Sequence, residues 1–263
     1  MGKHERWNLL LELLSARERL SVEEAAQELR VSAATVRRDF EELAQQQMLT
    51  RTHGGAIANT IAYDLPLRYK SARHTTEKQR IAARVAQLVR RGSIVGMNGG
   101  TTTTEVARAL ATRPDINAEQ DGTSTALTLV TNAINIANEL TVRPNVKLVV
   151  TGGVVRSQSY ELVGPLSTGL FDDVTLDVAI LGINGIEAVA GATCHNEGEA
   201  SINRLMATRA QQVIVVADGS KVGHRAFARI CGISEVNTFV TDASADPAQL
   251  ERFEEAGVEV VRV

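Results

Sequence analysis

The chain has 263 residues, of which 44% are hydrophobic and 22% charged, and its formal net charge is −3. That balance fits one large or two ordinary globular domains and excludes a disordered, collagen-like or strongly basic chain. Aromatics make up only 3%, so the core must be built from Ala, Val, Ile and Leu, a mixture suited to parallel α/β packing. No apolar run approaches the roughly 18 residues of a membrane span. The opening Met1–Trp7 stretch is charged and leads into a helical pattern, not an apolar signal-peptide core. Cys194 and Cys231 make no disulfide framework and fit a reducing compartment, so the expected location is cytoplasmic.

Three helical patterns fill the first fifty residues. Trp7, Leu10, Leu11 and Leu14 recur at three and four residues, an amphipathic first helix. Ser21 and Glu24 form a capping box that opens a second helix, with Val22, Ala25, Ala26 and Leu29 turned inward. Ser32 caps a third, whose buried stripe is Val36, Phe40 and Leu43. Only Arg30 and Val31 separate the second and third helices, which is the spacing of a helix-turn-helix. The Gly54-Gly55 pair between short β-compatible runs reads as the turn of a hairpin, the wing. Residues 1–58 are therefore expected to form a winged helix-turn-helix, and 59–74, without a clear period, a linker.

A helix is expected from about Thr75 to Arg91, and thereafter strands and helices alternate. Short, almost continuous apolar runs at Ile94–Met97, Leu127–Val130, Val146–Val150, Val178–Leu181 and Val213–Ala217 predict strands buried on both faces. Residues 75–263 thus read as a mostly parallel α/β domain, with the polar stretch Thr112 to Thr125 as a mobile loop.

Helical geometry fixes what the third helix presents. With Val36, Phe40 and Leu43 inward, Ala33, Ala34, Arg37 and Arg38 point outward or to the flanks. The N-terminal part of such a helix enters the major groove, where Ala33 and Ala34 permit close approach and methyl contact with thymine. Arg37 can fork onto guanine or phosphate, Arg38 suits a phosphate, and Arg51 and His53 of the wing suit the adjacent groove. The head carries eight Lys and Arg against nine Asp and Glu within residues 1–57, so affinity must come from the placement of a few arginines and from doubling by oligomerisation.

Ser32-Ala33-Ala34-Thr35-Val36-Arg37-Arg38-Asp39-Phe40 and the following His53-Gly54-Gly55-Ala56 resemble the paired signature of the DeoR family of bacterial regulators. The resemblance implies that Thr35, Arg37 and Arg38 contact DNA and that Asp39 orients an arginine or caps locally. Ser32 and Gly54 complete the expected DNA-binding set. Arg30 stands where helix-turn-helix motifs commonly carry Gly.

In the second domain, polar turns follow the expected strands. Asn98-Gly99-Gly100-Thr101-Thr102-Thr103 opens a helix, a natural phosphate cradle of backbone N–H groups and hydroxyls. Thr131-Asn132, Thr151-Gly152-Gly153, Gly182-Ile183-Asn184 and Asp218-Gly219-Ser220-Lys221 follow later strands, and in open α/β sheets such turns meet in one crevice. Arg156 and Glu199 add charge, and the set suits a sugar phosphate. From about Glu77 to Val263 the chain also resembles the family's effector domain, which is similar to ribose-5-phosphate isomerase. That resemblance implies a phosphorylated sugar as inducer, with Gly99 to Thr103 and Lys221 on the phosphate. Thr131, Asn132, Gly153, Arg156, Asn184, Glu199, Asp218 and Ser220 would line the rest. Asn98 stands where the family often carries Asp.

The function expected is a sequence-specific DNA-binding repressor of carbohydrate catabolic genes, released from double-stranded operator DNA by a phosphorylated sugar. It should act as a homo-oligomer, dimer or tetramer, with no cofactor and no membrane partner. The alternative is a sugar-phosphate isomerase-like enzyme with a DNA-binding appendage, for which Asp218, Glu199 and Glu161 are the available acid/base groups. Cys194-His195 lacks further ligands at zinc-like spacing, and neither a Walker sequence nor a full G-x-G-x-x-G turn follows any strand.

Overall fold

The computed structural model describes residues 1–17, 19–46, 48–58, 67, 74–117 and 125–263. These divide into two units, Met1–Arg73 and His74–Val263. The expected linker, apart from residues 67 and 74, lies outside the described residues.

In the first unit α1 (Lys3–Arg17) leads into a short strand β1 (Arg19–Ser21), then α2 (Val22–Leu29), α3 (Ala33–Gln45), β2 (Leu49–Thr52) and β3 (Gly55–Ala58). The expected stripes close one core: Trp7, Leu10, Leu11, Leu14, Val22, Ala25, Leu29, Val36, Phe40 and Leu43 are all buried. Ala26 packs against it half-buried. At roughly 1.5–3 kcal/mol for each large apolar side chain, this burial is what holds three short helices together. Ser21 and Glu24 make the reciprocal capping box, Glu24 N donating to Ser21 Oγ at 3.1 Å and Ser21 N to Glu24 Oε2 at 2.9 Å. The turn is held by Arg30 in the left-handed region at φ 51°, with Val31 N donating to Ala26 O at 3.1 Å. A non-glycine residue there costs about 1 kcal/mol.

The sheet runs β1-β3-β2, all antiparallel. Two expectations change. Strand β1 is only three residues long and abuts a helix cap, so it carries no readable alternation. The hairpin turn is His53-Gly54 and not Gly54-Gly55, because Thr52 already pairs with Gly55. Gly55 is needed for another reason: a Cβ there would stand 2.2 Å from Leu20 O of β1.

The second unit opens with α4 (Thr75–Leu88) and continues through β4 (Ile94–Met97), α5 (Thr101–Ala111), α6 (Pro114–Asn117), β5 (Leu127–Thr131), α7 (Ile134–Leu140), β6 (Val146–Val150), β7 (Val154–Arg156) and β8 (Glu161–Val163). Then come α8 (Pro165–Thr168), α9 (Leu170–Asp173), β9 (Leu176–Gly182), β10 (Gly185–Glu187), β11 (Gly191–Cys194), α10 (Glu197–Arg209), β12 (Ala210–Val216), β13 (Ala228–Cys231), β14 (Thr238–Thr241), α11 (Pro247–Glu255) and β15 (Glu259–Arg262). Seven strands form one parallel sheet in the order β15-β14-β12-β9-β4-β5-β6. Alternate residues face opposite layers. Val178, Ile180, Ile214 and Val216 join the core under α4 and α5, while Ala179, Leu181, Val213 and Val215 join the core under α10 and α11.

The five expected strands are present, and β14 and β15 extend the sheet at one edge. Two small antiparallel sheets, β7-β8 and β10-β11-β13, lie beyond the expected strands. Within the expected loop Thr112–Thr125, Pro114–Asn117 is a helix anchored by the fully buried Ile116, and 118–124 lie outside the described residues. No helix among the described residues is long and apolar enough to cross a membrane.

Candidate nucleic-acid interface and ligand crevice

On the first unit, Ser32 caps α3 through Oγ, which accepts from Thr35 N at 3.2 Å and lies 2.9 Å from Thr35 Oγ1. Ala34, Arg37 and Arg38 are exposed, and Ala33 and Thr35 are half-buried. Arg37 stands 4.0 Å from Glu23 of α2, a loose surface pair that is easily exchanged for a phosphate or base. Arg38 has no ion-pair partner among the described residues, and His53 and Gly54 form an exposed wing tip. Arg51 differs: it is half-buried, with Nε 3.7 Å from Glu41 of α3, so it braces the wing against the helix.

Asp39, adjacent to the outward arginines, points the other way. It is buried and accepts from Arg6 Nη2 at 2.9 Å, from Arg6 Nε, and from Trp7 Nε1 at 2.9 Å. The arginine it orients is therefore Arg6 of α1, and the pair fastens α1 to the back of the reading helix.

In the second unit the chain reverses its direction across the sheet between β4 and β9, the switch point where α/β sheets open a crevice. The turn after β4 stands there. Asn98 is buried and spans the two strands: Nδ2 donates to Gly182 O at 2.9 Å and Oδ1 accepts from Gly182 N at 2.7 Å. Gly100 caps α5 without any side-chain bond, the arrangement in which the first N–H groups of a helix, here Thr101 to Thr103, can meet an anion. Thr103 Oγ1 donates to Gly100 O at 3.2 Å and is fully buried, so that hydroxyl serves the turn itself. Thr102 is also buried, and Thr101 half-buried.

The neighbouring residues are similarly committed. Thr131 Oγ1 accepts from Ala133 N at 3.0 Å. Gly153 is close-packed: a Cβ would fall 1.8 Å from Ser167 Oγ. Asn184 Oδ1 accepts from His195 N at 3.1 Å. Arg156 Nη1 pairs with Glu199 Oε1 at 3.0 Å, and both are largely buried. Glu199 lies within the first turn of α10, which starts at Glu197 and is capped by Asn196. Asp218 accepts from Ser220 N at 3.1 Å and from Ser220 Oγ, shaping the turn that carries half-buried Lys221. Lys221 has no ion pair among the described residues.

One residue at this edge enters the sequence reading only as a reserve acid. Glu161 of β8 is buried, lies against Gly99, and receives Asn132 Nδ2 at 3.3 Å. Burial and the nearby Glu199 carboxylate push its carboxyl well above the usual range. A glutamate between Tyr160 and the apolar pair Leu162-Val163 is the sequence signal of such a buried group. The carboxyl groups of Glu161 and Glu199 do interact, whereas Asp218 serves its own turn. Cys194 is buried with Sγ donating to Asn196 O at 3.3 Å, and no group of His, Cys, Asp and Glu that could hold a metal occurs among the described residues. A separate cleft of about 700 Å³, lined by α8, α9, α10 and β13 residues such as Asp172, Arg204 and Arg229, contains none of the expected site residues.

The two units match two family models, a DeoR-like helix-turn-helix domain at residues 6–62 and a DeoR C-terminal sensor domain at residues 73–243. The chain is 36% identical over 98% of its length to the HTH-type transcriptional regulator GlpR of Haloferax volcanii, covering 96% of it. It is 32% identical to the glycerol-3-phosphate regulon repressor of Escherichia coli K12, covering 92% of both chains. Among solved structures it is similar to ribose 5-phosphate isomerase A of Methanocaldococcus jannaschii, at 16% identity and a TM-score of 0.40 over 55% of this chain and 53% of that one.

Proposed function

The chain belongs to the DeoR family of DNA-binding transcriptional regulators, and on that premise we propose that it represses carbohydrate catabolic genes and leaves its operator when a phosphorylated sugar or polyol occupies the crevice of the second unit. Membership places it among regulators and not enzymes, so the carboxyl groups at the sheet edge serve recognition and not turnover. In this reading residues 1–58 read DNA in the cytoplasm, 59–74 connect, and 75–263 sense the ligand and assemble a dimer or tetramer.

The observation that carries the reading is the glycine-rich turn at the switch point, which opens α5 with no side-chain cap. A helix N-terminus of that kind favours a dianionic phosphate over a neutral sugar. Lys221, half-buried in the turn after β12, supplies a cation for the same ligand. Glycerol 3-phosphate, after which the Escherichia coli relative is named, is the first ligand to try. At the head, Ala33, Ala34, Thr35 and Arg37 read the major groove, while Ser32, Arg38, His53 and Gly54 hold the backbone. Arg51 acts from the wing base.

Two substitutions separate the roles. Arg37→Ala should weaken operator binding about 10–100-fold, the cost of one bidentate contact, and leave ligand binding intact. Lys221→Ala should keep operator binding and lose release by glycerol 3-phosphate. A Lys221→Ala protein released at the wild-type ligand concentration would remove Lys221 from the site.

A further inference from the structure

The Gly99 end of the glycine-rich turn already faces a carboxyl group of the protein itself. Gly99 lies against the Glu161 side chain: a Cβ on Gly99 would lie 2.6 Å from Glu161 Cγ and 2.7 Å from Oε1, and the Gly99 amide favours the ionised form of that carboxyl. Residue 99 must therefore be glycine for the Glu161 side chain to lie on the turn at all. The same carboxyl receives Asn132 Nδ2 at 3.3 Å, yet Asn132 Oδ1 is buried with no partner. A buried acceptor without a donor is uncommon and marks a place where a ligand hydroxyl would be welcome.

The occupant is held reluctantly. Glu161 is buried beside a second carboxylate, Glu199 of α10, with Arg156 of β7 the charged group that relieves them. Tyr160, immediately before it, has φ 60°, a left-handed conformation unusual for a bulky residue. Glu161 rides on the β7–β8 hairpin, a two-stranded sheet of its own. That hairpin is tied to the turn after β5 by Leu162 N to Asn132 O at 2.7 Å and Ile134 N to Tyr160 O at 2.9 Å. Its Val154 and Val155 are exposed.

We propose that the Glu161 carboxyl is a built-in stand-in for the ligand's anionic group, and that a ligand takes its seat on the Gly99 amide by displacing Glu161 together with the β7–β8 hairpin. This rests on the phosphate-binding reading given above. The device gives the crevice two states without any change in the sheet: hairpin docked with Glu161 on the turn, or hairpin shifted with an anion there. Because Arg156 sits on the same hairpin, the shift also loosens its pair with Glu199.

Sulfate is the probe, since it stays a dianion across the neutral range and brings no hydroxyls. Its binding to the full chain is measured by isothermal titration calorimetry for the wild type, Glu161→Gln and Glu161→Ala. The proposal expects Glu161→Ala to bind at least about ten-fold tighter than wild type, with Glu161→Gln between them because it keeps the contact but removes the ionisable carboxyl. In the wild type, hydrogen exchange across residues 154–163 should quicken when sulfate is added, a readout that holds even if a variant fails to fold. Equal or weaker sulfate binding by both variants, or hairpin amides that slow or do not respond, overturns the proposal and leaves the anion seat standing. Sulfate bound by none of the three proteins removes the seat itself, and the phosphate reading with it.

Discussion

In the N-terminal unit the two α3 arginines expected to touch DNA are exposed, and Arg37 is held only loosely, by Glu23 at 4.0 Å. At the sheet edge of the C-terminal unit most of the expected ligand residues already have internal partners: Asn98 on Gly182, Thr131 on Ala133, Arg156 on Glu199. The contrast follows from what each surface does. A reading helix docks on an external duplex and needs side chains that can reorient, while a crevice for a small ligand must be held open by its own hydrogen bonds. On the proposed function, recognition in the head is added to a finished fold, whereas recognition in the crevice would exchange one set of bonds for another.

That difference can be broken by mutation. Asp39→Ala should have the largest effect, costing about 3 kcal/mol because it leaves Arg6 and Trp7 Nε1 facing a lost buried acceptor. Trp7 is the only tryptophan, so urea unfolding followed by its fluorescence reports this unit selectively. An unchanged midpoint would mean that α1 is held by apolar contacts alone. Asn98→Ala should cost about 2 kcal/mol by orphaning both backbone groups of Gly182. The loss should appear in far-ultraviolet circular dichroism and leave the Trp7 transition in place; a shift of both transitions would show that the units unfold together.

Arg30→Gly should stabilise the head by about 1 kcal/mol, since glycine accepts φ 51° without strain. The Trp7 transition measures it, and a loss of stability would mean that the Arg30 side chain contributes more than its backbone costs. Lys221→Ala is expected to move stability by less than about 0.5 kcal/mol, because it has no ion pair among the described residues. A clearly destabilised Lys221→Ala protein would put that side chain among the structural groups of the crevice.

The same contrast explains what the sequence discloses. The head is legible nearly residue by residue, because helix periodicity, the Ser21–Glu24 box and the Ser32 cap are local signals. Its misplaced detail, the hairpin turn, arises because Gly55 answers to Leu20, thirty-five positions away, and not to its neighbours. Asp39 has the same character: its partners Arg6 and Trp7 lie more than thirty residues upstream. In the second unit the continuous apolar runs identify five strands. Strands β14 and β15 carry Thr, Glu and Arg among their apolar residues and so do not stand out as runs. The glycine-rich turns can be located along the chain, but whether a Thr or Asn faces a ligand or its own backbone depends on strand order, which no local pattern encodes. Glu161 is hard to single out because its meaning comes from Gly99, sixty-two residues earlier and across the sheet edge.

The most direct measurement is a fluorescence-anisotropy titration of the full chain on duplex DNA from upstream of its own gene, repeated with glycerol 3-phosphate, other sugar phosphates and the corresponding unphosphorylated compounds. The account predicts tight, salt-sensitive binding that one phosphate ester reverses and its unphosphorylated counterpart does not. Specific binding that no phosphate ester disturbs would contradict it.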